Sequence, residues 1–392
     1  MSIRRTSAAL AAAAITMLVL AGCEAPRPER TVATATPPAS MSPTPTPTPN
    51  STPAARPLTG PYTPTGELTP LANDLAAPWS IAPVGTDGIL ISERDSGQIV
   101  LVDPAGQKRA IGGVGGVAAA GEGGLLGIAV HGDGAERRLF AYFTSADDNR
   151  VVSCALTGAG ASLALGPATE VISGLPKASN HNGGRIAFGP DGMLYVTTGD
   201  ANERDRAQDA GYLGGKILRL DASGSVPADN PFPGSPVYSL GHRNPQGIAW
   251  GADGTMYAAE FGQDTWDELN IIVPGANYGW PTVEGVDDAD ARFVAPIAQW
   301  ATDDASPSGI AVVGNTVFMA GLGGERLWTI DPVEGADSQT REFFGGQLGR
   351  IRDVHATDDG SLLLITNNTD GRGEPRSGDD TLYRVTLAPT SG

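Results

Sequence analysis

Short apolar runs, each broken by a glycine turn, recur along the chain from residue 75 onward. A pair of apolar or small residues starts each copy: Ile81-Ala82, Ile128-Ala129, Ile186-Ala187, Ile248-Ala249, Ile310-Ala311 and, more loosely, Val354-His355. A dipeptide that accepts positive φ follows within a few residues: Asp87-Gly88, Asp133-Gly134, Asp191-Gly192, Asp253-Gly254, Gly314-Asn315 and Asp359-Gly360. Such dipeptides close β-hairpins. After each turn comes another apolar run, as in Leu194-Tyr195-Val196, Met256-Tyr257-Ala258 and Leu362-Leu363-Leu364. The six starts are 47, 58, 62, 62 and 44 residues apart. Repeats of this size, built of hairpin-linked strands, specify a propeller. Six starts predict an all-β, six-bladed β-propeller over 71–388. No helical period intervenes, which disfavours a solenoid. Leu382-Tyr383-Arg384-Val385 is expected to pair with the segment near Leu68 to Leu75 and complete the ring. The long intervals predict extra loops after blades three and four, on one face.

The pattern before residue 71 is different. Arg4 and Arg5 precede an apolar run, Ala8 to Ala21, too short and Ala-rich to span a membrane comfortably; residues 1–22 read as a secretory signal. The run ends in Leu20-Ala21-Gly22-Cys23, which resembles the bacterial lipobox. That resemblance implies a lipidated Cys23 and an extracytoplasmic protein anchored in the cell membrane; the plainer alternative is a cleaved signal with an incidental cysteine. Residues 23–70 form the expected linker, with ten prolines between Pro26 and Pro57. Proline fixes φ and donates no hydrogen bond, so this stretch builds no core and reads as an extended spacer of roughly 100 Å at most. Cys154 is the other thiol and reads as a small buried residue.

Charge and motifs then narrow the function. With 44 Asp and Glu against 26 Lys and Arg, the net charge of −18 argues against phosphate-backbone binding, and no nucleic-acid partner is expected. The 53 glycines and 31 prolines suit a turn-rich β protein. There is no Gly-x-Gly-x-x-Gly, no Gly-x-Ser-x-Gly, no His-Glu-x-x-His, no Cys-x-x-Cys and no complete EF-hand loop. Any chemistry must therefore sit on propeller loops.

Two loops concentrate polar residues: His181-Asn182-Gly183-Gly184-Arg185, and Gly241-His242-Arg243-Asn244-Pro245-Gln246-Gly247. Arg350-Ile351-Arg352-Asp353 starts the last blade, and an i, i+2 pair on a strand faces one way, so both arginines can address one anion. These segments, with Gly214-Gly-Lys-Ile-Leu-Arg-Leu220 and Asn277-Tyr-Gly-Trp-Pro281, resemble the soluble glucose/sorbosone dehydrogenase family over roughly Leu75 to Val385. The resemblance implies a propeller that uses pyrroloquinoline quinone (PQQ) and calcium to oxidise aldoses at C1 to lactones. It places Arg243, Asn244, Arg350 and Arg352 around the cofactor, which carries three carboxylates suited to guanidinium partners. It makes His181 the general base, oriented by Asp200, with Trp300 a wall over the quinone. Calcium would rest on backbone carbonyls of Gly262-Gln263, with Asp267 and Glu268 close behind. The acidic group Asp287, Asp288 and Asp290 reads as a second calcium site or as a solvated loop. His242 and His355 read as packing or rim residues, and His131 as a surface turn residue.

Two positions depart from the family pattern. Glu122 stands where the family's sugar site has a Gln, and Gly323 where a Lys approaches the cofactor. The expected partners are a sugar substrate, an electron acceptor that the sequence does not identify, and the membrane through the lipid. Two other readings remain: a calcium-dependent lactonase-like hydrolase, which has no need of a tricarboxylate site, and a non-catalytic binding propeller.

Overall fold

The computed structural model describes residues 60–286, 290–333 and 338–390; Cys23, the signal segment and most of the proline-rich stretch lie outside them. Within the described residues the chain forms six four-stranded antiparallel sheets, and its only helices are short 3-10 turns. The innermost strands are Pro78–Pro83, Leu125–His131, Ile186–Phe188, Pro245–Trp250, Pro307–Val313 and Ile351–Ala356. Each meets the next, and the last meets the first, which closes a six-bladed propeller. All six repeat starts fall on these strands. The hairpin dipeptides behave as their residue types require: Gly192 and Gly254 sit at φ +74° and +87°, where a side chain would be strained.

The core is divided. Six separate apolar clusters occupy the six blade-to-blade interfaces, one each. A sheet covered on both faces needs apolar residues at successive positions. Accordingly Leu194–Thr198 and Leu362–Thr366 are buried at every residue. Cys154 lies in the cluster between blades one and two, and burial pushes its thiol up.

Closure joins the two ends of the fold. Tyr62–Ala72 is the outermost strand of blade six and pairs with Leu382–Pro389, with Leu68 opposite Val385. The strand thus starts at Tyr62, and residues 62–70, expected as linker, belong to the propeller. Pro64 and Pro70 are tolerated because an edge strand has ladder positions that need no N–H. The extra residues of blades three and four also lie elsewhere than expected. They fall inside the blades, between Thr198 and Lys216, between Leu220 and Val237, and between Ile272 and Ala298. The first and last of these insertions clasp each other through Gln208 and Asn277, whose side-chain amides bond reciprocally at 3.0 and 2.7 Å.

In an antiparallel meander the start of the first strand and the end of the second lie at the same end of the blade. Residues just before each inner strand and just after each second strand therefore converge on one end of the central channel. This geometry assembles the site.

Candidate active site

Guanidinium groups gather at that end. Nη2 of Arg350 and of Arg352 both reach Oδ2 of Asp370, at 3.2 and 3.4 Å, as the i, i+2 spacing predicts. Arg352 is held further by Asn367 Oδ1 and Gln246 Oε1. Arg94 donates from Nη2 to the Asp370 carbonyl at 3.1 Å and pairs outward with Asp95. Arg372 completes the group and pairs with Glu122 at 2.8 Å across the sequence from blade two to blade six. The four arginines, Glu122, Gln246 and Asp370, with Trp79 and Phe261, line a cavity of about 110 Å³. Four guanidinium groups and two carboxylates, Glu122 and Asp370, line it, so the cavity keeps a positive excess. Nε of Arg350 is buried without a hydrogen-bond partner. Burial pushes Arg352 down to about 9, against the opposing pull of Asp370. Burial would raise Asp370 too, but Arg352 and Arg350 hold it below the ordinary carboxylate value.

His181 stands beside this cavity. Its main-chain N–H donates to Oε2 of Glu122 at 3.1 Å, so Glu122 ties the arginine pocket to the histidine loop. Nδ1 of His181 lies 2.8 Å from Oδ1 of Asp200. Asp200 is fully buried and also accepts from Asn202 N–H at 2.8 Å and Trp280 Nε1 at 2.9 Å. Burial works to raise Asp200, yet the bonds from His181, Asn202 and Trp280 leave it below its ordinary value. An ionised Asp200 can only accept, so Nδ1 of His181 carries the proton and Nε2 is left as the acceptor. His181, Ala201 and Asn202 all adopt positive φ, at 56°, 51° and 67°. Backbone strain of this kind collects at functional sites.

The loop after the second strand of blade four is organised by two carboxylates. Oε1 of Glu284 accepts the N–H groups of Gln263, Asp264, Thr265 and Trp266, at 2.8 to 3.3 Å. In a trans peptide N–H and C=O point opposite ways. The carbonyls of Gly262 and Gln263 therefore turn away from Glu284. Asp267 accepts Gly262 N–H at 2.9 Å and Ser306 N–H at 2.6 Å, and burial pushes it up to about 7. Arg243 donates to the Gln263 side chain at 2.9 and 3.1 Å and lies over Trp280. Asn244 Oδ1 accepts Gly183 N–H at 3.0 Å, which fixes the histidine loop against blade four. Among the described residues no group of three or more His, Cys, Asp or Glu is arranged to hold a metal ion.

Several expectations change. Trp300 is no wall of this cavity: it lies on the outermost strand of blade four, 6% exposed, tilted against Trp328 in the core between blades four and five. His131 ends an inner strand and stacks on Phe188 of the next blade, so it is no turn residue. Asp290 is committed to Arg292, and Asp288 lies outside the described residues. His242 is a packing residue as expected, buried between Glu260 and Ser239 and stacked on Tyr278. A Cβ at Gly323 would sit 2.5 Å from Ser306 Oγ, so that side of the cavity has room for no larger residue without a shift. Arg94, Asp370 and Arg372 are the contributors that motif reading does not single out, and Trp280, inside the Asn277–Pro281 motif, has no role assigned by that reading. The signal for the first two is positional: each follows a second strand, as Asp200 does.

Known proteins share this architecture. The aldose sugar dehydrogenase of Streptomyces coelicolor, in its PQQ-bound form, matches with a TM-score of 0.79 and 47% identity over 85% of this chain and 100% of that one. Aldose sugar dehydrogenase YliI of Escherichia coli is 29% identical over 334 residues, 77% of this chain and 90% of that protein. Quinoprotein glucose dehydrogenase B of Acinetobacter calcoaceticus is 34% identical over 235 residues, about half of each chain. The glucose/sorbosone dehydrogenase family model matches residues 75–384, essentially the whole propeller. The chain belongs to the glucose/sorbosone dehydrogenase family.

Proposed function

We propose that this protein oxidises aldose sugars at C1 to the lactone, using PQQ held in the arginine-lined cavity. The observation that carries the reading is the guanidinium cluster, with its orphaned Arg350 Nε and its positive excess. A tricarboxylate fits such a cluster by charge and by fork geometry. A hydrolase would have no use for it, which weighs against the lactonase-like alternative. Arg350, Arg352 and Arg94 would hold the carboxylates, with Arg243 and Asn244 bracing the adjoining loops. Carbonyls of Gly262 and Gln263 would hold calcium, the hard oxygen donors that ion prefers. When bound, the quinone supplies the hydride acceptor and calcium polarises it.

The chain's own residues would handle the proton. Nε2 of His181 takes the C1 hydroxyl proton as the C1 hydrogen leaves with its electron pair. Asp200 fixes the tautomer and stabilises the imidazolium that forms, and Trp280 holds Asp200 from behind. Glu122 positions the histidine loop and, with Arg372, borders the route by which a sugar would arrive. The test is reconstitution: add PQQ and calcium to the protein and follow quinone absorbance and dye reduction with aldoses. Binding without turnover of any aldose would discard the reaction; no binding would discard the cofactor.

The further expectations extend to placement. Lipidation at Cys23 would anchor the propeller to the outer face of the cell membrane through residues 23–61, with the electron acceptor still to be identified.

A further inference from the structure

Lys216 carries an ammonium group buried without a counter-ion. It stands opposite Thr198 in the last pair of the second and third strands of blade three, where residues 199–215 leave the sheet. The side chain has no exposed surface and turns into that insertion. Its Nζ donates to the carbonyls of Ala207 and Gly214 at 2.8 Å and of Arg206 at 3.3 Å, and no carboxylate pairs with it among the described residues. An ammonium has three N–H donors, and here each has an acceptor. Burying a charge is costly unless its donors are satisfied in this way. Lys216 thus ties the 3-10 turn Arg204–Gln208 to the segment that returns to the sheet. Burial lowers its pKa to about 7, against the pull of the Asp209 charge, so the ammonium prevails on the acid side of that value.

The tied segment carries the support of the proposed base. Asp200 opens the insertion, and its carbonyl accepts the Tyr212 hydroxyl at 3.3 Å. The carbonyl of Gly199, just before it, accepts Gly215 N–H at 2.9 Å. From the 3-10 turn Gln208 donates through Nε2 to the Trp280 carbonyl at 2.7 Å, and Trp280 in turn donates to Asp200 Oδ2. The Ala207 carbonyl that receives Lys216 also accepts Gly241 N–H at 3.1 Å, which joins the turn to the loop of Arg243. One ammonium therefore stands at the root of both routes to the Asp200 carboxylate, the backbone one and the one through Trp280.

We propose that Lys216 is a positioning residue for the reaction: it holds the insertion closed so that Asp200 and Trp280 meet His181 in a single geometry. The proposal rests on the reading of His181 and Asp200 given above. Lys216 bonds to none of these three side chains and acts through the turn. Methionine in its place keeps the length of the side chain and removes every N–H, which leaves the Gly214 carbonyl buried without a donor. The turn then samples more than one position, and the His181–Asp200 bond is formed for a smaller part of the time.

The test compares wild type, Lys216→Met and Gln208→Ala in the full chain, on the acid side of the Lys216 pKa. Hydrogen exchange is followed by NMR at the Trp280 indole N–H and the Asn202 amide, the two donors that join His181 on the Asp200 carboxylate. Lys216→Met should speed both about tenfold or more, while amides of the blade-six strand Leu362–Thr366 keep their rates. On quinone-loaded protein kcat for aldoses should fall about tenfold or more, with quinone affinity held within about twofold. Because Lys216 acts through Asp200, Lys216→Met combined with Asp200→Asn should stay within about twofold of Asp200→Asn alone. Gln208→Ala, a change at a half-buried residue that leaves Lys216 in place, should speed exchange at the Trp280 indole in the same direction, so a misfolded Lys216→Met leaves the test intact. Unaltered exchange at both donors, or losses in kcat that multiply in the double variant, would overturn the proposal and leave Lys216 a structural residue. A loaded protein that oxidises no aldose discards the proposed reaction alone, and the exchange rates then decide on Lys216.

Discussion

Replacing Asp200 by Asn removes one charge and almost no volume, which makes it a sharp test of the proposed base. Two donors besides His181 converge on this carboxylate, Asn202 N–H on Oδ1 and Trp280 Nε1–H on Oδ2. An amide has one oxygen. With that oxygen at the Oδ1 position, the NH2 group meets the Trp280 N–H and a buried donor goes unpaired. With the amide reversed, NH2 faces Nδ1 of His181, forces the other tautomer and leaves Nε2 as a donor that cannot take a proton. Either orientation loses the charge-assisted bond to the imidazolium, worth ~1.5–3 kcal/mol. At about 1.4 kcal/mol per decade, that is a fall in kcat of roughly 10- to 150-fold. His181→Ala should lose more, ~10²–10⁴-fold, because the base itself is gone.

The assay is dye reduction at saturating aldose on quinone-loaded protein, with circular dichroism to confirm the fold. A second readout follows from linkage. Asp200 has a folded pKa below its unfolded one, so its stabilising effect is fully present above the unfolded value of ~3.9 and is lost as pH falls through the folded value. The gap in unfolding free energy between the wild type and Asp200→Asn should therefore shrink from pH 7 to pH 3. An Asp200→Asn protein that turns over at the wild-type rate, or that loses quinone binding in place of turnover, would refute the reasoning.

Arg350→Ala combined with Arg352→Ala should weaken quinone binding ~10²–10⁴-fold by absorbance titration, from two charge-assisted contacts of ~1.5–3 kcal/mol each. Unaltered affinity would remove these residues from the cofactor site. Glu122→Gln keeps an oxygen for the His181 N–H but severs the half-exposed pair with Arg372. It should move the KM for aldoses several-fold and leave kcat within about twofold, a pair of this exposure being worth ~0–1 kcal/mol; a collapse of kcat would contradict that role. Cys23→Ser should shift the protein from the membrane to the soluble fraction with its activity intact, and retention in the membrane would discard the lipobox reading.

The blade count was legible because sheets buried on both faces write themselves as long apolar runs, and because positive-φ turns admit few dipeptides. Arg350 and Arg352 were legible because strand periodicity puts both on one face. Arg94 and Arg372 were not, since neither sits in a motif and Arg94 is marked only by its place after a second strand. Their meaning comes from the ring, which brings Arg372 to Glu122 across 250 residues. Trp300 shows a different limit. A tryptophan in an alternating strand reads alike whether it faces a cavity or a neighbouring sheet, and only its place on the outermost strand settles the matter. The insertions were visible as long intervals, but an interval counts residues without saying which hairpin holds them.

The closing strand has a consequence for how the molecule would yield to force. Tyr62 lies opposite Pro389, and Thr390 N–H donates to the Pro61 carbonyl at 2.8 Å, so both ends of the fold leave from one corner. Traction applied between those ends would peel one strand from its neighbour bond by bond, the weakest way to load a ladder. Traction on the leading end alone would be passed through the strand to blade six and shared around the ring. The same adjacency means that a short peptide could splice the ends together, and the chain could then be reopened at an exposed hairpin such as Asp253-Gly254 without disturbing any sheet.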